Sequence, residues 1–143
     1  MREGLLDTNV FLHAQSTDEH SEECRRFLGA LELGHRHARL EPLVLHELFY
    51  ALRHYVKQMT REEIAEYLLM VLGWKGVRAE TDLLVDTVER WRHTPRLAFV
   101  DAYLAARALR TQSPVFSKNV KELSAQGVDF PQPLPYATSA RRS

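Results

Sequence analysis

Short apolar runs alternate with longer stretches of helical periodicity along this chain, and that alternation fixes its fold class. Leu5-Leu6 leads into Asp7-Thr8-Asn9, which reads as a brief buried strand ending in turn chemistry. Residues 16–33 read as a helix, with Ser16 or Thr17 as cap, acids in its first turn and Gly34 past its end. A short strand at 39–42 precedes an amphipathic helix at 43–57, whose Val44, Leu48, Ala51, Leu52 and Tyr55 share one face. Thr60-Arg61-Glu62-Glu63 is a capping box ahead of Ile64, Tyr67, Leu68 and Val71, with Gly73 as the stop. A strand at 76–79, a helix opened by Thr81 or Asp82, and an alanine-rich helix at 99–109 follow. The remainder reads as a strand at 114–117, a short helix at 121–125 and an edge strand at 128–130. Strands spaced by helices predict an α/β fold with a small, mostly parallel sheet flanked by helices. Ligands in such folds lie beyond the C-terminal ends of the strands, and Asp7 stands at the end of the first.

The bulk numbers exclude several classes. A length of 143 residues suits one domain, with 45% hydrophobic and 27% charged residues, which argues against disorder. We expect that domain over 1–133, and a poorly ordered tail at 134–143. No apolar run nears the roughly 18 residues of a membrane span, and no signal-peptide core follows the N-terminus. Cys24 stands alone, so an internal disulfide is excluded. Together these predict a cytoplasmic protein with no membrane association. Lysines plus arginines and acids both total 19, so binding nucleic acid by bulk charge alone is disfavoured. Local basic clusters remain: Arg25-Arg26, His35 to Arg39, Arg53-His54 with Lys57, and Arg90 with Arg92, His93 and Arg96. Each also reads as a solvated surface.

Three acids stand out by their surroundings. Residues three and four positions away are an acid's neighbours on a helix. Around Glu47 these are Leu43, Val44, Tyr50 and Ala51; around Asp101 they are Leu97, Ala98, Leu104 and Ala105. Both acids are therefore expected on the packed stripe of their helices or at its edge. Burying an unpartnered carboxylate costs several kcal/mol. Each acid alone also reads as a cap, an arginine partner or, for Asp7, a turn residue. If the three converge, they repel: two charges ~4 Å apart at a dielectric of ~20 cost about 4 kcal/mol. A cation would then be needed. An all-carboxylate set suits Mg²⁺ or Mn²⁺, which polarise a phosphoryl oxygen and activate water.

The rival chemistries fail on inspection. His46-Glu47 begins a zinc-protease motif, but Tyr50 occupies the position of its second histidine. His35 and His37 lie in a basic loop and read as exposed. An aspartate-nucleophile phosphatase wants a second acid two residues after Asp7, where this chain has Asn9.

With these pieces in order, the chain resembles the PIN-domain family, and within it the toxin ribonucleases of VapBC-type toxin–antitoxin pairs. The matching pieces are Leu5-Leu6-Asp7-Thr8-Asn9-Val10, Pro42 to Leu48, Phe99 to Ala106, and Pro114 to Asn119. The resemblance implies a single PIN-like domain, a metal at the strands' C-terminal rim, and cleavage of RNA phosphodiester bonds. It implies Asp7, Glu47 and Asp101 as catalytic metal ligands, supported by Thr8, Asn9, Ser117 and Asn119. It also implies a homodimer and a cognate antitoxin partner. The departure is Asn119, where the family often carries Asp; an amide brings a carbonyl oxygen but no charge, which favours one Mg²⁺ or Mn²⁺ ion. The same departure supports an alternative: a catalytically weak or inactive PIN-fold module that binds RNA or protein.

Overall fold

The computed structural model describes residues 3–56 and 58–136. Its centre is a parallel sheet of three two-residue strands: β1 (Gly4–Leu5), β2 (Ala38–Arg39) and β3 (Val77–Arg78). They lie in the order β1-β2-β3, with Gly4 opposite Ala38 and Ala38 opposite Val77. Parallel strands need crossovers, and helices supply them. Between β1 and β2 run α1 (Thr8–Ala14) and α2 (Ser21–Leu33). Between β2 and β3 run α3 (Pro42–His54) and α4 (Arg61–Leu72). After β3 come α5 (Thr81–His93), α6 (Phe99–Thr111) and the short α7 (Val120–Leu123), which passes into a 3₁₀ turn. The expected α/β architecture is the one observed, as a single domain.

Local chemistry explains some of the boundaries. Thr60 accepts from the Glu63 amide while Glu63 accepts from the Thr60 amide, completing the capping box that starts α4. Gly34 ends α2 in the left-handed conformation at φ 82°. Gly76 is required by close approach. A Cβ there would lie 2.0 Å from the Arg36 carbonyl oxygen and 2.7 Å from that of Leu31. The Gly76 amide donates to Leu31 across the same gap, so this glycine seats β3 against the end of α2.

The core runs from Leu6 and Phe11 through Leu40, Leu48 and Leu68 to Trp91 and Phe99. An aromatic stack ties α3, α5 and α6 together. Phe49 and Phe99 rings lie 4.3 Å apart, and Trp91 meets Phe49 edge-on at 5.0 Å. A second small cluster, Ala105, Ala108, Val115, Leu123 and Val128, fastens the C-terminal segment to α6.

The structure corrects several expectations. Helix α1 is new: Asp7-Thr8-Asn9 starts a helix instead of a turn, because the Asp7 carboxylate accepts from the Thr8 amide as N-cap. Helix α2 begins at Ser21, not at 16, because the Asp18 carboxylate binds the His20 amide and the Ser21 hydroxyl in a local turn. Helix α3 stops at His54, and Tyr55 is 72% exposed instead of joining the packed face. Residues 114–117 and 128–130 form no strands. Pro114 has no amide to donate, and one rung from Val115 to Asp129 does not make a ladder. Most of the expected tail, residues 137–143, lies outside the described residues, as does Lys57. Among the described residues, no helix is long and apolar enough to cross a membrane.

Candidate active site

Asp7 caps α1 directly after the first strand, with one carboxylate oxygen held 2.8 Å from the Thr8 amide. That hydrogen bond fixes the carboxylate through one oxygen only, and Asp7 is exposed. Thr8 is buried, and its hydroxyl donates to the Val44 carbonyl at 3.5 Å, tying the start of α1 to the first turn of α3. Glu47 lies one turn further along α3. Asp7, Asn9 and Glu47 consequently line one cleft of about 400 Å³, together with Tyr50 and Tyr55. Glu47 is exposed, which excludes the packed stripe and leaves the other expected place, the edge of that stripe. Two of its four apolar neighbours, Leu43 and Tyr50, are themselves exposed, at 84% and 47%.

Asp101 behaves differently. It sits in the first turn of α6 at 7% exposure, the only buried carboxylate among the described residues. No lysine, arginine or histidine pairs with it there; its side-chain partner is the amide of Asn119, which donates to Oδ2 at 2.7 Å. Ser117 in turn positions Asn119 by accepting from its backbone amide at 3.0 Å. Ser117 and Asn119 thus support Asp101, not the cleft of Asp7 and Glu47, whose lining does not include Asp101.

The structure therefore groups the expected residues in two pairs. Asp7 and Glu47 share a cleft, and Asp101 shares a hydrogen bond with Asn119. Among the described residues, no three Asp, Glu, His or Cys side chains form a set able to hold a metal ion. The side chains nevertheless offer suitable chemistry: Asp7, Glu47 and Asp101 carry hard carboxylate oxygens that form no ion pair among the described residues. Three other acids are engaged by arginines: Asp86 holds Arg90 and Arg110, Glu80 holds Arg107, and Glu62 holds Arg92.

The sequence clusters of basic residues sort in the same way. Arg25 and Arg26 pair with Glu22, and Arg90 and Arg92 with Asp86, Glu62 and Glu89. Among the described residues Arg53, His54 and Arg96 form no ion pair, and they meet in a second cavity beside α3 and α6. Arg61, hidden in the sequence inside the capping box, joins them there. Tyr50 lines the acidic cleft while Phe49 is core, at 7% exposure.

Comparison with known proteins gives one positive finding. The model of the PIN domain matches residues 4–125, which spans every helix and strand described above as far as the 3₁₀ turn. No curated protein matches the chain.

Proposed function

Because this chain belongs to the PIN-domain family, whose members are generally nucleases that use divalent metal ions, we propose that it is a Mg²⁺- or Mn²⁺-dependent endoribonuclease. The observation that carries the reading is Asp101, a buried carboxylate with no cationic partner among the described residues. An ionised carboxylate in that position costs several kcal/mol unless something compensates it. One neutral amide compensates only part, so a site that gains a cation is favoured. Asp7 and Glu47 from the cleft and Asp101 from the start of α6 would have to close around the ion, since among the described residues no three such side chains form a metal-holding set; Asn119 stands beside Asp101. When bound, such an ion polarises a phosphoryl oxygen and lowers the pKa of a bound water.

The chain's own residues supply the rest. Thr8 anchors Asp7 to α3 through the Val44 carbonyl, so the two acids of the cleft keep one spacing. Ser117 and Asn119 hold the Asp101 side chain in a single orientation. Asn9 offers an amide at the cleft edge to an RNA sugar or phosphate.

The test is cleavage of fluorescently labelled structured and single-stranded RNA with Mg²⁺, Mn²⁺ or EDTA. Asp7→Asn and Asp101→Asn are each expected to lower the rate by about 100-fold or more, the loss of several kcal/mol of metal-dependent stabilisation. If the wild type cuts nothing with either ion, or Asp7→Asn cuts as fast, the protein is a non-cutting binding module. The donation from Asn119 to Asp101, where a further acid would add charge, is the feature that favours that second reading.

We also propose that the nuclease acts as the toxin of a toxin–antitoxin pair in the cytoplasm, as a homodimer over 1–133. The exposed apolar side chains Leu43, Val100 and Leu104 around one groove support self-association or an antitoxin contact. Expression alone should slow growth, and a small neighbouring open reading frame should relieve it. Normal growth at high expression would remove the toxin role and leave the nuclease.

A further inference from the structure

A cavity of about 550 Å³ opens between the C-terminal half of α3, the first residue of α4, the end of α5 and the start of α6. Its volume lies within the range of ligand sites. Arg53, Arg61, Arg96, His46 and His54 line it, and no Asp or Glu does. Among the described residues, the only arginines without a carboxylate at ion-pairing distance are Arg36, Arg53, Arg61 and Arg96. Three of these four converge here.

Arg61 is the most constrained. Its guanidinium lies 4.1 Å over the Trp91 ring and donates to the Thr94 and Pro95 carbonyls at 3.1 and 3.0 Å. Its Nε is buried and has no hydrogen-bond partner among the described residues. Burial first, and the neighbouring Arg53 charge second, pull this guanidinium below its ordinary pKa. Like charges gathered without an acid cost energy, and an anion removes that cost. Ala98, Phe99 and Val100, at the N-terminus of α6, also line the cavity.

The cavity shares α3 and α6 with the candidate site: His46 precedes Glu47 on α3, and Val100 precedes Asp101 on α6. We propose that this cavity binds a phosphodiester group of the RNA strand while taking no part in the chemistry. That the strand is RNA rests on the nuclease reading above; the anion site itself rests on the arginines.

The test is binding of a fluorescein-labelled 12-nucleotide single-stranded RNA, by anisotropy, in EDTA and across 50–200 mM salt. EDTA removes cleavage from the readout. Arg53 and Arg96 are exposed, and neither guanidinium bridges to another element, so the double variant Arg53→Ala/Arg96→Ala should fold. It should weaken binding by about 10-fold or more and reduce the salt slope by about 0.7 for each phosphate that is no longer neutralised. Arg36→Ala, the remaining unpaired arginine outside the cavity, should change affinity by less than about 2-fold. Equal losses in both proteins would mean bulk charge, and unchanged affinity in the double variant would mean no site; either overturns the proposal. A 5′-mononucleotide in place of RNA separates the sources of phosphate. Arginine-dependent binding of the mononucleotide with unaltered RNA binding also overturns it. Arginine-dependent RNA binding without any metal-dependent cleavage would defeat the nuclease reading and leave this site standing.

Discussion

Replacing Asn119 by aspartate tests the electrostatics of the site without requiring any catalysis. In the native chain the Asn119 amide donates to Asp101 Oδ2 at 2.7 Å. A hydrogen bond to a charged acceptor contributes roughly 1.5–3 kcal/mol. Asn119→Asp removes that donor and sets a second carboxylate against the first. At ~4 Å and an effective dielectric of ~20 the repulsion alone is about 4 kcal/mol. Asn119 is exposed, however, so the new side chain can turn into water, and much of that repulsion is screened. The net destabilisation should be about 2 kcal/mol at pH 7, or roughly 8 °C in Tm for a domain of this size. Two further measurements separate repulsion from the missing hydrogen bond. Millimolar Mg²⁺ should restore stability to Asn119→Asp more than to the wild type, because only a cation relieves paired carboxylates. The swapped double variant Asp101→Asn/Asn119→Asp should recover most of the loss, since it keeps one amide and one acid side by side. Urea titrations with Mg²⁺ and with EDTA read both. A variant as stable as the wild type in EDTA, or one that Mg²⁺ leaves unmoved, would refute this account of the Asp101 environment.

Two more predictions concern the scaffold. Gly76→Ala should cost more than about 2 kcal/mol, because its Cβ would meet two backbone oxygens that cannot rotate away; a urea midpoint within error of wild type would show that β3 is not seated as described. Asp18 is held below its ordinary pKa of 3.8, chiefly by the hydrogen bond to His13 and then by the His20 amide. Its contribution is therefore present above about pH 4 and lost as pH falls through the lowered value. The stability gap between wild type and Asp18→Asn should narrow from pH 6 to pH 2.5, and a constant gap would contradict the assignment.

The fold class was legible because its signal is periodic. Runs such as Leu48, Ala51 and Leu52, or Leu84, Val88 and Trp91, repeat at helical spacing and are all buried. The capping box at Thr60 was legible because two side chains three residues apart satisfy two backbone amides by themselves. Helix α1 was not, because an aspartate before Thr-Asn begins a turn or caps a helix with the same hydrogen bond. What decides between them is Phe11, fully buried against the Trp74 ring, a tertiary contact with no local mark in the sequence. The C-terminal strands failed for a related reason. Apolar residues such as Val115 and Val128 do bury, but as a satellite cluster under α6 instead of as rungs of the sheet.

The site divides along the same line. Asp101 lies inside although only half of its apolar flanks pack: Leu97 and Ala105 are buried with the acid, while Ala98 and Leu104 are exposed. Glu47 lies outside with Leu43, which is almost fully exposed. That exposure carries its own meaning. A leucine and a tyrosine left in solvent beside an unpaired glutamate cost little in the monomer, but they stay dry only against another surface. The acids consequently differ in what they demand. Asp101 needs compensation inside the fold, and Asn119 supplies part of it. Asp7 and Glu47 are solvated already, and their pairing in one cleft contributes no folding energy. The Asp7 carboxylate does contribute as the cap of α1, whereas the Glu47 carboxylate has neither an ion pair nor a hydrogen bond among the described residues.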